Sequence, residues 1–119
     1  MNNPRSLEIW KLSYELGKSI HMLTKKFPRE EMYGLASQLR RASVSVTSNI
    51  SEGCGRGSPK DFKNFLHISM GSLKEVETQI LYAKDFGYIS EQELKENLRK
   101  IDKLGRKLSC FIASVAKRI

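Results

Sequence analysis

The sequence predicts an all-α protein, an antiparallel up-down-up-down four-helix bundle forming a single domain over residues 1–119. Three observations carry that expectation. Apolar residues recur at intervals of three and four through four long segments, the spacing of one buried helix face. The segments are joined by short breaks rich in glycine and proline, and short connections place neighbouring helices antiparallel. No β-branched run points to a strand. At 119 residues the chain can bury about two-thirds of the surface it exposes when unfolded, so neither disulfides nor a metal are needed to hold it.

The first helix is expected from about Ser6 to Lys26, with Ile9, Leu12, Leu16, Ile20, Leu23 and Phe27 facing the core. A second row of Trp10, Tyr14, Gly17 and His21 runs beside it at spacings of four, three and four. A helix in an isolated bundle needs only one buried stripe, so this row predicts a contact surface for a second subunit or a ligand. Phe27-Pro28 ends the helix, because the residue before proline is pushed out of the α region.

The second helix is expected over about Glu30 to Glu52, its acidic start matched to the positive end of the helix dipole. Leu35, Leu39, Ala42, Val46 and Ile50 form the core row. A neighbouring face carries Gln38, Arg41, Ser45, Ser48, Asn49 and Glu52. Hydroxyl residues fill five of the nine positions from Ser43 to Ser51, poor helix formers whose small size permits close packing.

Gly53, Gly55 and Gly57 then break the helix, since glycine tolerates positive φ, and Arg56 is held at the tip of the hairpin. Ser58-Pro59 restarts it as N-cap and first helical residue. The third helix runs from Pro59 to about Phe86, roughly 40 Å long. Its core row is Phe62, Phe65, Leu66, Ser69, Leu73, Val76, Ile80 and Ala83. Gly87 ends it, and Ser90 with Glu93 matches a capping box. The last helix buries Leu94, Leu98, Ile101, Leu108, Ile112, Val115 and Ile119.

The net charge of +8 is unevenly placed. Residues 1–27 hold five cations against two anions and residues 88–119 eight against four, so these two segments carry nearly all of it. A concentrated basic excess predicts a polyanionic partner. On the last helix Lys95, Arg99, Lys103 and Arg106 form a row opposite the core stripe, broadened by Lys100, Lys107, Lys117 and Arg118. Such a row can follow a phosphate backbone, and no aromatic residue interleaves with it in sequence.

Other chemistry has little support. Asn49, Glu52 and Arg56 are the one polar cluster, but they lack the nucleophile-base pair or metal that hydrolysis requires. Glu52 at a helix C-terminus is better read as clasped by Arg56, four residues on. His21 and His67 have no partners at metal-ligand spacing. The expectation is a non-enzyme with no cofactor, metal or small-molecule substrate. No run approaches the roughly 20 apolar residues of a membrane span. Cys54 and Cys110 are read as reduced thiols, and the protein as cytoplasmic.

Asn49-Ile50-Ser51-Glu52-Gly53-Cys54-Gly55-Arg56, with Phe65-Leu66 and Gly71-Ser72-Leu73-Lys74-Glu75 downstream, resembles the bacterial family of 23S ribosomal RNA intervening-sequence proteins. Phe27-Pro28, Gly34-Leu35, Gln38-Leu39-Arg40-Arg41-Ala42 and Ser45 fit the same pattern, and the likeness spans about Leu7 to Leu108. The resemblance implies a four-helix bundle assembling as a ring-shaped homopentamer. It also implies kinship with the accessory protein of diversity-generating retroelements, which works beside a reverse transcriptase. Taken with the residues, it predicts an oligomer joined through Trp10, Tyr14, Ser45, Asn49 and Glu52. That oligomer would bind RNA or DNA through Lys95, Arg99, Lys103, Arg106 and Arg56. The alternative is a scaffold whose basic face meets an acidic protein, such as a reverse transcriptase-type complex.

Overall fold

Serines start the two longest helices. In the computed structural model, which describes residues 3–119, Ser58 Oγ accepts the Asp61 N–H at 3.1 Å at the head of α3 (Pro59–Asp85). Ser90 and Glu93 complete the reciprocal capping box that opens α4 (Glu91–Ala116). Before them lie α1 (Glu8–Thr24), preceded by a 3₁₀ turn over Pro4–Ser6, and α2 (Leu35–Cys54). Among the described residues there is no strand.

Three sequence expectations are corrected. Glu30 and Glu31 do not open α2; they sit in a separate 3₁₀ turn, Arg29–Glu31, and the helix starts at Leu35. Glu31 still serves that helix, because its Oε1 accepts the Leu35 N–H at 3.0 Å while Oε2 accepts the Tyr88 hydroxyl at 2.7 Å. The carboxylate therefore pins the α1–α2 connection to the α3–α4 connection. Gly53 does not break the helix, which runs on through Cys54; the chain reverses at Gly57 (φ 81°), as it does after α3 at Gly87 (φ 82°). Gly53 is required for space, since a Cβ there would come within 2.7 Å of the Phe62 ring. Ile119 lies beyond α4 and is exposed, whereas Leu104 is fully buried in the core row.

Contacts fix the topology. Trp10 meets Ser51 while Arg40 meets Thr24, so α1 and α2 run in opposite directions. Ser69 bonds Val46 and Ser72 bonds Ser45, which sets α3 antiparallel to α2. Phe62 packs edge-on to Phe111 while Lys84 pairs with Glu91, so α4 reverses α3. Lys107 with Glu8 and Ser19 with Asn97 close α4 antiparallel onto α1. Each helix packs on its two neighbours, and among the described residues the backbones of the diagonal pairs α1/α3 and α2/α4 stay more than 8 Å apart, Cα to Cα. The core between them includes Leu16, Ile20, Leu39, Val46, Phe62, Leu73, Ile80, Leu104 and Leu108. Buried hydroxyls are bonded rather than orphaned: Ser69 donates to the Val46 carbonyl at 2.8 Å and Ser43 to that of Arg40 at 3.1 Å. That is why the hydroxyl-rich α2 holds despite its low propensity.

Candidate nucleic-acid interface

Burial of Leu94, Ile101, Leu104, Leu108 and Val115 turns the opposite ridge of α4 to solvent. Lys95, Arg99, Lys103 and Arg106 all stand on that ridge and are exposed. Arg106 pairs with Asp102 at 3.4 Å, both side chains well exposed, an interaction of small worth in water. Among the described residues Lys95, Arg99 and Lys103 make no ion pair. Lys100 and Lys107 lean toward α1 instead, the first donating to Ser19 Oγ at 3.2 Å and the second pairing with Glu8 at 3.2 Å. Three of the row's four cations are thus uncommitted, all on one helix.

Arg56, unlike the first three cations of the row, has partners. Its Nε donates to Glu52 Oε2 at 3.0 Å, and its guanidinium stacks 4.9 Å above the Phe65 ring. It belongs to the α2–α3 hairpin, and α2 lies diagonally across the bundle from α4. Arg56 is thus engaged by Glu52 and Phe65, unlike Lys95, Arg99 and Lys103.

The five residues singled out for assembly flank the outward ridge of α2. On one side Trp10 donates its indole N–H to Ser51 Oγ at 2.9 Å and stacks on Tyr14 at 4.8 Å. Tyr14 is half exposed, with Lys18 Nζ 5.1 Å over its ring. Lys18 is held above the usual lysine range, first by its hydrogen bond to Glu15, and stays charged. These residues line a groove of about 700 Å³ between α1 and α2, with Val44 and Ser48 on its far wall. On the other side a polar groove of about 510 Å³ lies between α2 and α3. There Ser45 bonds Ser72 at 2.9 Å, and Asn49 Nδ2 donates to the Ser45 carbonyl at 2.8 Å. Glu52 borders the first groove. The same second groove holds the side-chain oxygen of Gln79, buried without a partner. Only the packing reveals this orphaned acceptor.

Asn49 and Glu52 are thus engaged with Ser45 and Arg56. Among the described residues no group of three or more His, Cys, Asp or Glu side chains could hold a metal ion. Cys54 is buried, its thiol pushed up by desolvation, and Cys110 is exposed; both are free. Among the described residues no helix is long and apolar enough to cross a membrane.

The family model described as 23S rRNA-intervening sequence protein matches residues 5–110. A crystal structure of a protein with unknown function from the S23 ribosomal protein family of Bacteroides thetaiotaomicron is similar in fold. It superposes with a TM-score of 0.81 at 22% identity, covering 87% of this chain and 97% of that one. No curated protein matches the chain.

Proposed function

The chain belongs to the 23S rRNA-intervening sequence protein family, and from that premise we propose that it is a non-enzymatic, oligomeric, cytoplasmic protein that binds the phosphate backbone of RNA or DNA through α4. One observation carries this reading: four cations stand in line on the outward ridge of α4, three of them without an ion-pair partner among the described residues. Fixed cations on a rigid helix release condensed counterions when they meet phosphates, giving sequence-independent and salt-sensitive affinity. The engagement of Asn49 and Glu52 within the hairpin supports a structural clasp over a catalytic pair.

Assembly fits the same geometry. The two grooves beside α2 differ, one aromatic and apolar, the other polar and lined by Gln38, Arg41, Ser45, Ser72, Glu75 and Gln79. Unlike faces meet head to tail and close into a ring; the family resemblance sets the number at five. A donor from the neighbouring subunit would satisfy Gln79. Contacts around α2 would leave the diagonally placed α4 at the periphery, its row repeated and available for avid binding.

The test compares Arg99→Glu/Lys103→Glu with Arg56→Ala by filter binding at several salt concentrations. The double reversal should weaken binding to unrelated sequences alike and flatten the log–log salt slope by roughly one unit per lost contact. Arg56→Ala should leave both unchanged. A double-reversal variant that binds nucleic acid like the parent would refute the reading and leave the basic face to an acidic protein partner.

A further inference from the structure

Helix α1 stops covering α4 before α4 ends. The chain ahead of α1 turns away, its 3₁₀ turn packing on α1 and α2 but not on α4. Because α4 continues to Ala116, its last turns leave a groove of about 650 Å³ against the start of α1. The floor is apolar, made by buried Ile9 and partly buried Phe111, whose ring is held edge-on by Phe62 at 5.6 Å. Lys103, Arg106 and Lys107 line the same groove. Two of these three cations are the C-terminal half of the α4 row. Glu8 lines it as well, paired with Lys107. Along the sequence no aromatic residue interleaves with the row; the fold brings one beside it.

We propose that this groove takes an unstacked base of a single-stranded nucleic acid whose phosphates lie on the α4 row. The inference rests on the reading of that row as a phosphate-binding surface and adds the form of the ligand. Cations beside an aromatic-floored groove match a ligand that is at once planar, apolar and anionic. A duplex keeps its base faces stacked inside and could use the cations alone. An acidic peptide matches the charge but leaves the aromatic floor without a counterpart. Stacking on an aromatic side chain is tolerant of base identity, because every base has a π-face. Glu8 supplies an acceptor for an exocyclic amino group.

Cys110 offers a way to close the groove without disturbing the core. It lines the groove and is exposed, while Cys54, the other cysteine, is 2% exposed. A bulky maleimide adduct at Cys110 should weaken binding of a short single-stranded RNA about tenfold, the size of one lost stacking contact. Binding of the duplex of equal length should be unchanged. Phe111→Leu, which removes the ring and keeps apolar bulk, should reproduce the difference. Equal loss for both RNA forms would overturn the proposal, because the adduct would then act on the row alone. So would displacement of single-stranded RNA by polyglutamate as effectively as by RNA of the same charge. If the adduct and Phe111→Leu are silent while Arg99→Glu/Lys103→Glu still loses affinity, the groove is empty and the row stands. If all three are silent, the phosphate-binding reading falls with it.

Discussion

Gly53 and Gly57 lie four residues apart and are needed for different reasons. Gly57 adopts φ 81° with nothing near the position of a Cβ, so its requirement is conformational. Gly53 is helical but faces the Phe62 and Phe65 side chains at 2.7 and 3.1 Å from where a Cβ would sit. Gly53→Ala should cost about 1–3 kcal/mol through overpacking, and Gly57→Ala about 1 kcal/mol through backbone strain. Asparagine, which tolerates the left-handed region, should recover part of the loss at position 57 and none at 53. Ser58→Ala should cost about 1 kcal/mol as a lost N-cap. Urea unfolding of the set checks all of these, and equal behaviour of the two asparagine variants would contradict the distinction.

At the scale of the element, two carboxylates bind helix ends to distant parts of the chain. Glu31 accepts the first free N–H of α2 and the Tyr88 hydroxyl, which together hold it below the ordinary glutamate value of 4.5. Glu93 is lowered first by Lys26 and then by the Ser90 N–H. A carboxyl depressed on folding adds stability above its unfolded value, and that contribution disappears as pH falls through the folded value. The melting temperature should therefore hold at neutral pH and drop as the pH passes below 4.5. In Glu31→Gln/Glu93→Gln the neutral-pH value should be lower and the acid drop smaller. Thermal melts from neutral pH to about pH 3 read both effects, and an unaltered acid drop would place its origin in other carboxylates.

The whole molecule has two distinct sides, set by the diagonal placement of α2 and α4. Grooves flank α2, while the cationic ridge rides on α4. Trp10→Glu should shed subunits and keep helicity, yet it also breaks the indole bond to Ser51 and should lower the melting temperature. Val44 is 59% exposed and lines the same groove, so Val44→Glu should dissociate the oligomer with little loss of stability. Light scattering paired with circular dichroism separates the two effects. A parent protein that is monomeric at micromolar concentration would refute assembly through α2.

Four helices, their order and nearly all of their buried positions were legible in the sequence, because periodicity, caps and breakers act over a few residues. The Ser58 cap and the Ser90 capping box were found on that basis, and the α4 ridge was read as the complement of its apolar stripe. Nearest-neighbour rules cannot see across the bundle. They could not show that Gly53 makes room for Phe62, that Glu31 reaches Tyr88, or that Arg56 stacks on Phe65. Nor could they place Phe111 in one groove with Ile9, Lys103 and Arg106, since that groove exists only where α1 begins against α4. Local sequence determined the helices and their faces. The packing of one helix on another decided which faces share a groove, because those distances are set by side chains far apart in the chain.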